Sequence, residues 1–311
     1  MHTTHARTTR ATASVAERLA AGPISWGACE VPGWGLMPAP DRVLSEMAQL
    51  GIRGTELGPP GFLPEEPAAL AALLDRYGLA LVGGFVPLVL HERELDAALA
   101  EADRSARLIS GAGGGMLMLA AVQDADWGAP QELDSDGWRR LAKHLNAIES
   151  LAAEYRLAVC LHPHAGTLIE TDEQVRRGLE VVEVGWCLDT GHLLIGGTDP
   201  VRFARECSER VAHVHLKDVD ATLAGEVRAG RRSLLSATRD GLFRALGQGD
   251  AHIAEVMDAL QAHGYAGWLV LEQDTAITGD EPTVAGGPMR DARESIAFLH
   301  QTARMTEEIN R

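Results

Sequence analysis

The chain has 311 residues, 46% of them hydrophobic, 5% aromatic and 33 of them glycine, which is ample aliphatic material for one large α/β domain. Against 28 Lys and Arg stand 44 Asp and Glu, and the formal net charge of −16 repels phosphate backbones and anionic membrane surfaces. No apolar run reaches the roughly 18 residues of a spanning helix, and Cys29, Cys160, Cys187 and Cys207 form no CxxC pair, so neither a zinc ribbon nor a disulfide scaffold is signalled.

Residues 1–21 stand apart, rich in Thr, Ala and Arg with Glu17 as their only acid. That composition suits either an organelle transit peptide or, more plainly, a flexible extension with a short helix near Val15–Ala21. No apolar segment of signal-peptide length follows the basic residues, and the expected location is cytoplasmic. From Gly22 to residue 311 the pattern is that of one domain. Short apolar runs recur at Gly22–Gly27, Ile52–Leu57, Leu79–Val86, Gly115–Ala121, Leu157–His162, Val184–Asp189, Val211–Lys217 and Trp268–Glu272. Their near-continuous apolar character is that of parallel strands buried on both faces.

Helical patterns lie between them at Asp41–Leu50, Pro67–Tyr77, His91–Ser110, Asp136–Tyr155, Thr171–Val181, Pro200–Cys207, Ala251–His263 and Arg290–Met305. Asp41 is placed to cap the first, Thr171 and Gln174 have capping-box spacing, and Asp199-Pro200 is a cap followed by Pro at the first helical position. Gly78 and Gly264 fall where helices should end. Eight strands alternating with eight helices predict a single-domain (β/α)₈ TIM barrel, slightly above the typical size of about 250 residues. A doubly wound sheet would want GxGxxG after its first strand, and GPISWG is followed by ACEVPGWG. The long gap 218–247 reads as an insertion on the catalytic face.

In such a barrel the chemistry sits at the C-terminal ends of the strands. The fifth run ends in His162-Pro163-His164, the sixth in Asp189-Thr190-Gly191-His192, the seventh in His213-Val214-His215-Leu216-Lys217, and the eighth in Glu272. Residues i and i+2 share one side of a strand, so each tip can present a polar group to one central point. His162, Asp189, His215 and Glu272 form a mixed N/O set suited to Mn²⁺ or Co²⁺, with Zn²⁺ or Fe²⁺ as alternatives, and less to Ca²⁺ or Mg²⁺. Taken singly each is ordinary: a strand HxH is commonly structural, and an Asp at a strand end commonly caps a turn. Their coincidence on successive tips is the signal.

His164, His192, Glu56 and Lys217 are the candidate acid–base groups, His for its titration near neutrality. Glu56 is expected to face the mouth and accept a substrate hydroxyl, or else to pair with Arg53. Lys217 and Asp218 either bind hydroxyls or pair with each other. His213 sits one layer beneath His215 and supports it, while Cys160 and Cys187 are small core residues. Trp26 and Trp34, with Phe85, offer an apolar wall for a substrate ring, and the Gly/Pro-rich loop 28–40 reads as a lid or as a contact in a homo-oligomer. Arg53, Arg228, Arg231 and Arg232 could bind a phosphate, but no Gly-rich cradle follows the seventh or eighth run.

GPISWG, GIRGTELG, LHPHAGT, CLDTGHLLIGGTDP, RVAHVHLKDV, GQGDAHI and YAGWLVLEQD together resemble the xylose-isomerase-like barrel superfamily of sugar phosphate isomerases and epimerases, and within it the inosose dehydratase branch. The likeness runs from about Gly22 to Asp274. It implies a divalent metal held by Glu, Asp, His and Glu from strands 5 to 8. Asp189, His215 and Glu272 match by position, and His162 stands where the usual Glu would be.

Such a metal chelates a ketone and its neighbouring hydroxyl and stabilises the enediolate formed when the α-proton leaves. Loss of a β-hydroxyl makes the enzyme a lyase, a dehydratase of 2-keto-myo-inositol or a related keto-polyol. Return of the proton elsewhere makes it an isomerase or epimerase of a sugar, and the same enolisation serves cleavage of 3-keto-glycosides. A DNA-repair endonuclease on this barrel would need a basic face that the charge denies. The expected partner is a neutral polyol or sugar, not nucleic acid or membrane.

Overall fold

The computed structural model describes residues 13–284 and 286–309; the expectation for residues 1–12 lies outside them. Nine parallel strands form one sheet: β1 (Leu19–Ala21), β2 (Gly54–Thr55), β3 (Ala80–Leu81), β4 (Gly83–Leu88), β5 (Met116–Ala121), β6 (Ala158–Leu161), β7 (Gly185–Asp189), β8 (Val211–Leu216) and β11 (Leu269–Leu271). Between β8 and β11, β9 (Asp218–Val219) pairs antiparallel with β10 (Phe243–Arg244). The spatial order is β3-β2-β1-β11-β8-β7-β6-β5-β4. The two ends of that order, β3 and β4, are consecutive pieces of one apolar run interrupted at Val82. The sheet therefore rolls into a nearly closed barrel whose seam is a break within the third expected strand. At the start of β4 a Cβ on Gly83 would sit 2.3 Å from the Met116 carbonyl oxygen, so only glycine lets the strands meet there.

The first strand corrects the sequence reading. Leu19–Ala21, expected at the end of a flexible extension, pairs with β11 on one side and β2 on the other. Gly22–Gly27, expected as the strand, instead holds a 3₁₀ turn over Pro23–Trp26 that closes on Gly27 at φ 88°. Pro23 has no N–H for a ladder, while the Ser25 hydroxyl donates to the Leu271 carbonyl and ties the turn to the barrel rim. Alanines favour helix in isolation; here their small size suits a crowded barrel wall. The barrel domain thus begins before Gly22.

The helices are α1 (Pro40–Gln49), α2 (Pro67–Tyr77), α3 (Asp96–Gly111), α4 (Ser135–Glu154), α5 (Asp172–Val181), α6 (Thr190–Gly196), α7 (Pro200–Glu206), α8 (Ala221–Arg228), α9 (Leu234–Arg239), α10 (Ile253–Ala262) and α11 (Pro288–Ile309). The Thr171–Gln174 box and the Asp199 cap form as expected. Asp41 does not cap α1, which starts from Ala39; its carboxylate takes hydrogen bonds from Arg76 and Tyr77. The sequence patterns missed α6, α8 and α9, the last two within the 218–247 insertion. That insertion packs Val219, Ala224, Ala237, Leu242 and Phe243 around Ile195 of α6 and Ala165, making a small core beside the barrel mouth.

A continuous aliphatic shell fills the space between sheet and helices, each fully buried Leu or Val contributing roughly 1.5–3 kcal/mol. The barrel interior is different. Met118, Cys160 and Cys187 form one small buried cluster there, and Ala20, Val82 and Val270 another. Two residues beyond Cys160, Cys187 and Val270 stand His162, Asp189 and Glu272. The period of a strand thus converts a plug of small side chains into a polar layer at the open end.

Candidate active site

His162 follows β6, Asp189 ends β7, His215 lies within β8 and Glu272 follows β11. One donor atom from each lies within 4.8 Å of the others. His162 Nε2 is 3.2 Å from Asp189 Oδ2, and His215 Nδ1 is 3.3 Å from the same oxygen and 2.6 Å from Glu272 Oε2. Asp189 divides its carboxylate: Oδ1 accepts from the His192 backbone N–H at 2.8 Å and caps α6, leaving Oδ2 for the centre. The capping reading of an Asp at a strand end thus holds at this residue and leaves one oxygen facing the other three donors.

Despite their 2.6 Å separation, His215 Nδ1 and Glu272 Oε2 are not aligned for a hydrogen bond to each other. Their other close neighbours, Asp189 Oδ2 and Lys217 Nζ, are met as ion-pair contacts without hydrogen-bond alignment. Buried polar atoms left so are uncommon, and two donors aimed past one another suit a shared third atom. Charge points the same way. Asp189, Glu272 and Asp274 are clustered around one buried ammonium, Lys217. A divalent cation brings that cluster close to neutrality. The donor set and its orphaned atoms fit a transition-metal dication.

Lys217 Nζ lies 2.9 Å from Asp274 Oδ1, 3.0 Å from Glu272 Oε2 and 3.4 Å from Asp189 Oδ2. Burial alone pushes carboxyls up; the Lys217 ammonium beside Asp189 and the His215 imidazole beside Glu272 outweigh it and hold both well below the usual range. At Asp274 burial wins, pushing the carboxyl up to about 6 against the pull of Lys217. Gly191 makes space for this lysine, since a Cβ there would sit 2.6 Å from Lys217 Cβ.

His164 and His192 stack with ring centroids 3.8 Å apart. Burial, then each other's charge and that of Lys217, pushes His192 well below the imidazole range; burial, His162 and Lys217 do the same to His164. His192 is enclosed between the Ala165 N–H and Lys217 Nζ. His164 donates from Nδ1 to the Ala165 carbonyl at 2.8 Å and remains partly exposed at the mouth, with Nε2 as a free base.

Several expected roles change. Glu56 does not face the mouth or pair with Arg53: its Oε1 accepts from His213 Nε2 at 2.8 Å and His215 Nε2 at 3.0 Å, inside the barrel. Lys217 does not pair with Asp218, whose carboxylate instead accepts the backbone N–H groups of Val219, Gly247, Gly249 and Ala251 and pins the base of the insertion. With both oxygens so engaged, Asp218 has no substrate-binding capacity to spare. Trp26 is buried and donates to Glu46 Oε2, and Trp34 donates to the Thr275 carbonyl, so both indoles are packing groups under the rim. Through Trp34 and the Leu36 N–H the loop 28–40 is fastened across residues 275–277. Arg228 caps the carbonyl end of α6, and Arg232 pairs with Glu226 and Asp240, so neither awaits a phosphate.

Two residues were not anticipated. Asp274 stands two positions beyond Glu272, a spacing that would have placed it on the same side. Trp127 carries no such signal. It stands at φ 57° in the loop after β5, with 39% of its surface exposed, parallel to Phe85 at 6.2 Å and edge-on to His164 at 5.8 Å. Phe85 in turn touches the His162 and His164 rings. The aromatic wall is therefore Phe85 and Trp127.

A parallel barrel whose strand tips bring imidazoles and carboxylates to one buried point defines a (β/α)₈ barrel with a donor cluster able to hold a metal ion. The chain belongs to the xylose isomerase-like TIM barrel family, whose model matches residues 44–302. It is 33% identical over 267 residues to the rhizopine catabolism protein MocC of Rhizobium meliloti, covering 83% of this chain and 81% of that one. It is 30% identical over 275 residues to an inosose dehydratase of Geobacillus kaustophilus (strain HTA426), covering 84% and 89%. Among solved structures, an L-ribulose 3-epimerase superposes with a TM-score of 0.65 at 19% identity, over 94% of this chain and 97% of that one. The 3-keto-D-glucoside 4-epimerase YcjR from E. coli does so at 0.61 and 15%, over 91% and 99%. Among the described residues no helix is long and apolar enough to cross a membrane.

Proposed function

We propose that this enzyme is a divalent-metal-dependent lyase that removes water from a keto-polyol of the 2-keto-myo-inositol type. The observation that carries the reading is the pair of orphaned donors, His215 Nδ1 and Glu272 Oε2, converging with His162 and Asp189 at the barrel mouth. Likeness to an inosose dehydratase across most of both chains favours the lyase over the epimerase outcome, for which the structural neighbours supply fold similarity alone.

His162, Asp189, His215 and Glu272 would hold the cation, Mn²⁺ or Co²⁺ by their mixed N/O chemistry, and it would supply Lewis-acid polarisation of the substrate's ketone and adjacent hydroxyl. His164, neutral and with Nε2 free, takes the proton from the carbon beside the ketone. Lys217, its ammonium held by the Asp274 carboxylate, gives the proton that leaves with the departing hydroxyl as water. His192 holds Lys217 in place from behind. Phe85 and Trp127 cover the carbon face of the ring and keep water from the carbanionic side.

The test is Mn²⁺- or Co²⁺-loaded enzyme incubated with 2-keto-myo-inositol in D₂O. Growth of the cyclic diketone chromophore is the expected result. Solvent deuterium incorporated into an isomeric ketose, without loss of water, would turn the assignment to epimerase.

A further inference from the structure

Glu56 is a buried carboxylate on the opposite side of the barrel from the histidines it touches. It follows β2, which is separated from β8 in the sheet by β1 and β11, so its contact with His213 and His215 runs through the barrel interior. Among the contacts described for Glu56 its ion-pairing partners are these two imidazoles, with no Lys or Arg beside it. A carboxylate enclosed this way is costly unless its hydrogen bonds accomplish something that a neutral side chain cannot.

The two ring nitrogens of His215 face opposite ways. Nε2 meets Glu56 Oε1, and Nδ1 meets Asp189 Oδ2 and Glu272 Oε2. An acceptor-only group at Nε2 requires a hydrogen there, and in the neutral ring that leaves the Nδ1 lone pair directed at the centre. From this geometry we infer that Glu56 is a positioning residue for the metal centre: it fixes the Nε2–H tautomer and the ring orientation of His215, with His213 holding the same carboxylate oxygen from below. The inference rests on the ligand assignment made above for His215. It also gives the second strand, which supplies none of the four ligands, a reason to end in a buried Glu.

Two measurements test it on the full-length protein. In the Zn²⁺-loaded wild type, histidine ¹⁵N–¹H correlation spectra should show His215 protonated at Nε2 and bare at Nδ1; the reverse tautomer would overturn the inference. The second is Mn²⁺ titration followed by the paramagnetic resonance of the free ion. Glu56→Gln should bind Mn²⁺ about 10–100-fold more weakly than wild type, with a metal-free melting temperature close to wild type. Wild-type affinity in Glu56→Gln overturns the positioning role while leaving the ligand set standing. Absence of Mn²⁺ and Zn²⁺ binding by the wild type itself overturns both.

Discussion

The Lys217 ammonium lies 2.9 Å from Asp274, a residue 57 positions along the chain, whereas its neighbour Asp218 gives its carboxylate to backbone amides. The pair joins the tips of two adjacent strands and supplies a proton-bearing side to the centre. Asp274→Asn removes the carboxylate charge that holds the Lys217 ammonium and keeps the shape. We expect turnover to fall by about 10²–10⁴-fold, the usual worth of a general acid, with bound metal unchanged by elemental analysis.

Asp189 serves the centre and the α6 N-terminus with different oxygens. Asp189→Asn keeps an amide oxygen able to cap, while Asp189→Ala loses both functions. Both variants should lose the metal on dialysis. In the presence of chelator, calorimetry should find the Ala variant less stable than the Asn variant by about 0.5–2 kcal/mol.

His164 donates from Nδ1 to the Ala165 carbonyl and stands outside the donor cluster of His162, Asp189, His215 and Glu272. His164→Gln should abolish proton exchange between substrate and D₂O while retaining full metal occupancy. Metal loss in this variant would move His164 into the ligand set.

Trp127 is the exposed member of the aromatic wall and occupies a backbone region unfavourable to a bulky residue. Trp127→Gly relieves strain of about 1–3 kcal/mol and removes the indole. KM should rise several-fold with kcat less affected, and the melting temperature should not fall.

Burial lowers the His162 imidazole, but Cys187 and Asp189 beside it prevail and bring it up to about 9 in the metal-free protein. Below about 9 that ring therefore carries a proton which an incoming cation must displace. Metal affinity should rise with pH across neutrality, since the His215 imidazole, despite its burial, is also held above its usual range by the Cys187, Glu272 and Glu56 charges around it. Titration calorimetry in buffers of different ionisation enthalpy should detect proton release at pH 7.

Much of the site was legible from local rules. A strand's period of two places Cys160 deep and His162 at the mouth, and does the same for Cys187 and Asp189, because side-chain direction depends only on neighbouring residues. The barrel follows from eight apolar runs separated by helical patterns, and His162, Asp189, His215 and Glu272 meet because parallel strands end on one side. Leu19–Ala21 was misread because its alanines have no strand preference until β2 and β11 flank them. Hydrogen-bond partners across the barrel were beyond local rules altogether. Nothing near Glu56 in the chain foretells His213 and His215, and Lys217 and Asp218 are neighbours that face different partners. Trp26 and Trp34 look like ring platforms until their indole N–H groups find Glu46 and Thr275, while Trp127 becomes one only when the loop after β5 folds over His164. The sequence alone determined which chemistry reaches the barrel mouth, since strand direction and periodicity are local. Barrel closure decided which groups orient, cap or cover it, since it brings together side chains that no spacing relates.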